Sequence, residues 1–159
     1  MSKKNLNLVL EHIDAQIENA THRLFDFLKI PSISTDLAYK ADCIIAADWL
    51  VDDLKKIGFK VSKRETNGHP MVVAHTGTSG KHIMFYGHYD VQPVDPIELW
   101  EKAPFDPYLA PGDLSDVICA RGAADDKGQL MTFVEACRAW KAVHGNLPGK
   151  ISLFFEGEE

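Results

Sequence analysis

Residues 83–90 have the sequence IMFYGHYD, and the interpretation of the whole chain starts from this stretch. Its large apolar residues predict a buried strand that ends at the glycine. His88 and Asp90 follow, and their side chains point the same way if the backbone stays extended. A histidine beside a carboxylate is typical of a metal-bound imidazole held by a partner, although the same pair on a surface loop is commoner. Taken alone, the stretch favours the surface loop.

Length and composition limit the classes of protein that the chain can belong to. Its 159 residues are enough for one domain with a sizeable core. A net charge of -6 without a basic cluster argues against nucleic acid as a partner. No apolar stretch approaches the roughly 20 residues of a membrane span, and the polar first residues argue against a secretory signal. Three widely spaced cysteines form no disulfide framework, so we expect a cytoplasmic protein: Cys43, Cys119 and Cys137.

The spacing of apolar residues predicts alternating helices and strands, and hence an α/β fold. Helices are predicted at 5–29, 40–57 and 129–143. Strands are predicted at 59–63, 71–74, 83–88, 117–120 and 150–155. Residues 91–111 hold five prolines interleaved with aromatic residues. A loop this long either has a function, such as lining a pocket, or simply packs on the protein surface. The sequence does not distinguish these two alternatives.

Acidic turns follow three of the apolar strands. They are His88 with Asp90, Asp125 with Asp126, and Glu158 with Glu159. The carboxyl-terminal edge of an α/β sheet is where ligands bind, and one imidazole with several carboxylates suits zinc, manganese or cobalt. Such carboxylates repel one another unless a cation lies among them, although Arg121 and Lys127 could neutralise part of the charge. Spacing alone supports a metal site and a solvated acidic rim equally.

Three motifs carry a resemblance to a known family: HYDVQP at 88–93, RGAADDKG at 121–128 and EGEE at 156–159. They resemble the N-terminal signatures of the M20 metallopeptidases, the co-catalytic zinc dipeptidases and deacylases. IPSIS at 30–34 and WEKAPF at 100–105 also match the carnosinase-like dipeptidase branch. The likeness covers nearly the whole chain in the right order. It implies an α/β fold that is part of a mixed-sheet, three-layer, zinc-exopeptidase-like catalytic domain.

The resemblance implies a cofactor and a role for each site residue. Two divalent metal ions are expected, zinc first with manganese or cobalt as alternatives, and they activate a shared water. The implied metal ligands are His88, Asp125, which bridges both ions, and Glu159. Asp90 orients His88, and Glu158 is the general base that takes the proton of the water. Asp126, where the family often carries asparagine, is expected to have a structural hydrogen-bonding role, and the Asp125–Asp126 peptide bond is expected to be cis.

M20 enzymes are several hundred residues long, whereas this chain has 159 residues. We expect residues 1–159 to be the N-terminal portion of a single catalytic domain. The remaining ligands and a lid domain, through which a homodimer could form, would lie beyond it, so this portion alone should be inactive. The function predicted for the whole protein is metal-dependent hydrolysis of dipeptides or short peptides. The alternatives are an N-acyl amino-acid deacylase and a non-catalytic metal-binding domain, although a binding module has no need of Glu158.

Overall fold

The computed structural model describes residues 3–159 and shows a mixed α/β fold, as the apolar spacing predicts. Its helices are α1 (Lys3–Ala15), α2 (Ile17–Leu28), α3 (Lys40–Ile57) and α4 (Lys127–His144). Its strands are β1 (Lys60–Arg64), β2 (Met71–Thr76), β3 (His82–His88), β4 (Tyr108–Ala110), β5 (Val117–Cys119) and β6 (Lys150–Glu156). No helix within residues 3–159 is both long enough and apolar enough to cross a membrane.

The main sheet has the strand order β1-β2-β6-β3. β2 is antiparallel to β1 and to β6, whereas β3 runs parallel to β6. The parallel register pairs His88 with Glu156 at the carboxyl ends of β3 and β6. The turns that follow these two strands therefore leave the same edge of the sheet, which places residues 88–90 beside residues 157–159.

Helices α3 and α4 cover one face of this sheet and enclose the core. The sheet contributes Val72, Ala74, Ile151, Leu153 and Phe155 to it. Phe85 of β3 stacks on Phe133 of α4, with ring centroids 4.2 Å apart. Cys137 is buried in the core, as its position in the apolar stripe of α4 predicts, and burial raises the pKa of its thiol to about 12.

The prediction that β3 is buried is wrong for most of its side chains. Among residues 3–159, β3 is the last strand of the sheet and pairs with β6 on one side only. Met84 is 72% exposed, and Ile83 and Tyr86 are about half exposed. A run of apolar residues predicts a strand, but it cannot tell how many strands will lie beside it.

The N-terminal stripe forms two helices and not the single helix predicted at 5–29. The break is at Gln16, whose backbone has φ -114° and ψ 9°. Its N–H donates to the Ile13 carbonyl at 3.0 Å, a tightened last turn that closes α1. The apolar spacing continues across the break, so the pattern does not reveal it.

The proline-rich segment 91–111 contains more regular structure than the sequence indicates. A 3-10 turn covers Ile97–Leu99, and β4 pairs with β5 in a separate antiparallel ribbon. β4 has only three residues and lies between Pro107 and Pro111, so periodicity cannot detect it. By contrast, α3 ends at Ile57 as predicted, with Gly58 at φ 89° as its C-cap.

Candidate active site

The turn after β3 is anchored by a buried tyrosine between two polar residues. Tyr89 is fully buried, its hydroxyl donates to the Pro70 carbonyl at 2.6 Å, and its N–H donates to the Glu156 carbonyl at 2.8 Å. A Cβ at Gly157 would lie 2.3 Å from the Tyr89 ring, so only glycine fits where the β6 turn passes. Tyr89 therefore holds the two turns against each other.

His88 and Asp90 meet, as their two-residue spacing predicts. Nδ1 of His88 lies 3.2 Å from the Asp90 carbonyl oxygen and 3.3 Å from its Oδ1. The Asp90 side chain is 1% exposed, so its carboxylate needs hydrogen-bond donors inside the protein. An N–H on Nδ1 supplies one, which leaves Nε2 of His88 with the lone pair that a metal ion requires.

The turn before α4 brings a second carboxylate to the same imidazole. Nε2 of His88 lies 3.1 Å from Oδ1 of Asp125, whose side chain is 74% exposed. The Asp125–Asp126 peptide bond is cis, as the family resemblance predicts. Oδ2 of Asp126 accepts from the His88 N–H at 3.1 Å, which agrees with a structural hydrogen-bonding role. Asp125 thus faces solvent beside His88, while Asp126 ties the turn to the end of β3.

Glu158 and Glu159 both lie at this edge of the sheet, but they contact different residues. The Glu159 N–H donates to Oδ1 of Asp90 at 3.4 Å, so this residue joins the group through its backbone. Oε2 of Glu158 accepts from the His69 N–H at 3.3 Å, in the turn between β1 and β2. Within residues 3–159, no three histidine, cysteine or acidic side chains surround a common point. The structure therefore brings His88 and Asp125 together, without the side chain of Glu159.

The charges near the imidazole differ in part from those inferred from the sequence. Burial works against the charged form of His88, but the carboxylates around it, Asp90 foremost, outweigh burial and raise its pKa. The Arg121 guanidinium donates to the Pro93 carbonyl at 2.9 Å and forms no ion pair with a carboxylate in the part of the chain that the structure describes. Lys127 is fully buried with its Nζ on backbone carbonyls, and burial lowers its pKa to about 7.

The sequence that forms this edge of the sheet matches a known protein family. The profile described as Peptidase family M20/M25/M40 matches residues 84–159, which include all three acidic turns. The chain is 31% identical to the Cys-Gly metallodipeptidase dug1 of Schizosaccharomyces pombe, over 99% of this chain and 35% of that protein. This chain belongs to the M20 peptidase family.

Other relatives in the family include deacylating enzymes as well as dipeptidases. The chain is 37% identical to a succinyl-diaminopimelate desuccinylase of Nitrosospira multiformis, over 69% of this chain and 28% of that protein. The dipeptidase Dug1p of Saccharomyces cerevisiae superposes with a TM-score of 0.84 at 27% identity, over 96% of this chain and 34% of that one. Human carnosine dipeptidase 1 superposes with a TM-score of 0.83 at 26% identity, over the same shares. The chain spans about a third of the length of these relatives.

The residues of this M20 chain fit a divalent metal ion. With Nδ1 of His88 facing Asp90, a metal ion would take the place of the proton shared between Nε2 of His88 and the exposed carboxylate of Asp125, which lie 3.1 Å apart. Two ligands about 2.0–2.2 Å from one tetrahedral zinc ion are separated by about 3.3–3.6 Å, so the two atoms would need to move apart by only a few tenths of an ångström. A nitrogen and a carboxylate oxygen are also donors that zinc, manganese and cobalt accept.

Two further residues contact the site and were not predicted from the sequence. The Ser34 hydroxyl donates to Oδ2 of Asp90 at 2.6 Å, and His69 holds Glu158 as described above. Nε2 of His69 lies 3.0 Å from the Ser34 carbonyl, which connects these two residues to each other. Both lie far in sequence from the acidic turns, so no local spacing could have indicated them.

Proposed function

We propose that the M20 protein containing this chain hydrolyses dipeptides or short peptides with two bound metal ions, zinc first, and with Glu158 as general base. The observation that carries the proposal is the placement of His88 between Asp90 at Nδ1 and Asp125 at Nε2. This arrangement lies at the ligand-binding edge of the sheet, inside the region that matches the family profile. The relatives named as dipeptidases support the substrate class.

Each residue has a separate task in this proposal. His88, Asp125 and the exposed carboxylate of Glu159 would hold the metal ions. Bound metal ions supply an acidified water and a polarised scissile carbonyl. Asp90 keeps the proton of His88 on Nδ1, so that Nε2 stays available. The carboxylate of Glu158 accepts a proton from the attacking water and returns it to the leaving amine.

A second function is favoured by one specific relative. The chain is 37% identical to a succinyl-diaminopimelate desuccinylase over 69% of its length, and the family profile covers all three acidic turns. Removal of an N-acyl group breaks the same kind of amide bond with the same activated water, so these turns serve either reaction. The second candidate is therefore an N-acyl amino-acid deacylase.

A substrate comparison distinguishes the two functions. The protein expressed from its complete coding sequence is loaded with zinc and assayed with Cys-Gly and other free dipeptides, and with N-succinyl and N-acetyl amino acids. We expect kcat/KM for dipeptides to exceed that for acylated amino acids, and a chelator to abolish both activities. A preference for the acylated substrates would establish the deacylase. A zinc-loaded protein that cleaves neither class would contradict the proposed hydrolase.

Gly68 offers a test of how Glu158 is placed. A Cβ at this position would lie 1.7 Å from Oε2 of Glu158, so Gly68→Ala must push the carboxylate off the His69 N–H. We expect kcat to fall about 10- to 100-fold, because a misplacement of about 1 Å can cost that much. Zinc content should stay near normal, since the displaced carboxylate is not a proposed ligand. Steady-state kinetics and metal analysis measure both quantities.

The neighbouring residue of the same turn is the matched control. Asn67→Ala changes another exposed residue of the same turn, one position away, and it should leave kcat near that of the parent protein. If Gly68→Ala keeps full kcat, the turn between β1 and β2 does not place the base. If it loses zinc together with activity, Glu158 acts as a ligand and its assignment as the base is wrong.

A further inference from the structure

The buried carboxylate of Asp90 has its two oxygens held from different directions. Oδ1 faces Nδ1 of His88 at 3.3 Å and the Glu159 N–H at 3.4 Å. Oδ2 accepts from the Ser34 hydroxyl at 2.6 Å, the shortest of the three contacts. A carboxylate that is 1% exposed cannot replace a lost donor with bulk water, so each donor helps to set its orientation.

The segment that carries Ser34 is fixed firmly against the turn after β3. The buried Ser32 hydroxyl donates to the Tyr89 carbonyl at 2.7 Å, and the Val91 N–H donates to the Ser32 carbonyl at 2.9 Å. Ile33 and Val91 form a parallel bridge. These contacts hold residues 32–34 alongside residues 89–91. They therefore fix the position of the Ser34 hydroxyl beside Asp90.

The same segment also contacts the elements that carry the other two acidic turns. The buried Nζ of Lys127 donates to the Ile30 carbonyl at 2.7 Å, and Lys127 follows directly on Asp125 and Asp126. Nε2 of His69 lies 3.0 Å from the Ser34 carbonyl, and the N–H of His69 reaches Glu158. Residues 30–34 therefore contact all three acidic turns, either directly or through one intervening residue, although they supply no proposed metal ligand themselves.

We propose that Ser34 is a positioning residue for the metal-binding His88, acting through Asp90. The inference rests on the proposed function, because it takes His88 as a metal ligand. With Oδ2 held by Ser34, Oδ1 is aimed at Nδ1 of His88, and the imidazole is kept in the tautomer and orientation that direct Nε2 toward the metal ion. Without the hydroxyl, the carboxylate can rotate toward its remaining donors and the imidazole loses its fixed direction.

A matched pair of substitutions isolates the hydroxyl. Ser34→Thr and Ser34→Val introduce side chains of nearly the same shape, and only threonine can donate to Asp90. Zinc affinity is measured on the protein expressed from its complete coding sequence, by competition with a chelating dye. We expect Ser34→Val to bind zinc up to about 10-fold more weakly, the lower end of the cost of losing a direct partner of a metal ligand, because Ser34 acts one hydrogen bond further out, and Ser34→Thr to bind close to the parent value.

Two controls separate this role from general support of the fold. Ser32→Ala removes one buried side-chain hydrogen bond from the same segment, whereas the bond from the Val91 N–H to the Ser32 carbonyl and the Ile33–Val91 bridge remain to hold Ser34 beside Asp90. It should therefore lower the unfolding temperature and leave zinc affinity near normal. His88→Ala should lose zinc whatever Ser34 does. The inference is overturned if Ser34→Val binds zinc as tightly as Ser34→Thr, or if Ser32→Ala weakens binding as much as Ser34→Val. If His88→Ala keeps its zinc, the proposed function itself fails.

Discussion

Replacing Glu158 with glutamine is expected to lower kcat about 10²- to 10⁴-fold, the usual contribution of a positioned general base. Glutamine has the same shape but cannot take a proton from water. Its amide oxygen can still accept from the His69 N–H, which lies 3.3 Å from Oε2 of Glu158, so the side chain should keep its place. Zinc content should stay normal, because the base acts on the water and does not bind the metal. Steady-state kinetics together with metal analysis measure the two effects.

Glu156 is the matched control for this change. Its carboxylate lies two residues earlier, on the last residue of β6, and accepts from the Tyr86 hydroxyl. Glu156→Gln should therefore keep most of the activity. A Glu158→Gln protein that remains active would contradict the assignment of the base, and one that loses its zinc would make Glu158 a ligand. Glu159→Gln, by comparison, should lose zinc and activity together.

The second large effect is expected at Asp125. Substitution of this residue by asparagine should change zinc affinity far more than the same substitution at the adjacent Asp126. Asp125→Asn should weaken zinc binding by more than the ~10- to 100-fold cost of an outer partner, and activity should fall with it. The Asp125 side chain is 74% exposed, so stability of the metal-free protein should change little. Zinc competition, kinetics and thermal unfolding without metal measure these quantities.

The neighbouring substitution keeps the hydrogen bond that the structure shows. An asparagine at position 126 still offers an oxygen to the His88 N–H, which now donates to Oδ2 of Asp126 at 3.1 Å. Asp126→Asn should therefore bind zinc nearly as tightly as the parent protein. Equal loss of zinc in both variants would show that the two carboxylates share the metal, and an unaffected Asp125→Asn protein would remove Asp125 from the ligand set.

The parts of the fold that depend on local chemistry could be predicted from the sequence. α3 follows its apolar stripe from Lys40 to Ile57 and ends at Gly58, whose positive φ suits a C-cap. The burial of β3 could not be predicted, because the number of strands beside it depends on the strand order of the sheet. The division between α1 and α2 was also hidden, since one non-helical residue leaves the apolar spacing unchanged.

The residues of the candidate site likewise include some that could be predicted from the sequence and some that could not. His88 and Asp90 could be grouped with the turn after β6 in advance, because the carboxyl ends of parallel neighbouring strands meet at one edge of the sheet. The same reasoning does not account for Asp125, because β5, the strand before it, pairs with β4 outside the main sheet. Ser34 and His69 could not be predicted, because their contacts with Asp90 and Glu158 depend on how a loop and a turn from elsewhere in the chain pack there. The directions of Glu158 and Glu159 were equally beyond prediction, since neighbours in sequence can point to different partners.

Anomalous diffraction at the zinc edge, from crystals of the protein expressed from its complete coding sequence, tests the central claim most directly. We expect two peaks about 3.5–4 Å apart at the edge of the sheet beyond β3 and β6. Nε2 of His88 should lie about 2.0–2.2 Å from one peak and a Glu159 oxygen the same distance from the other, with Asp125 bridging both. Peaks elsewhere, or a zinc ion at this edge that none of these three side chains contacts, would contradict it.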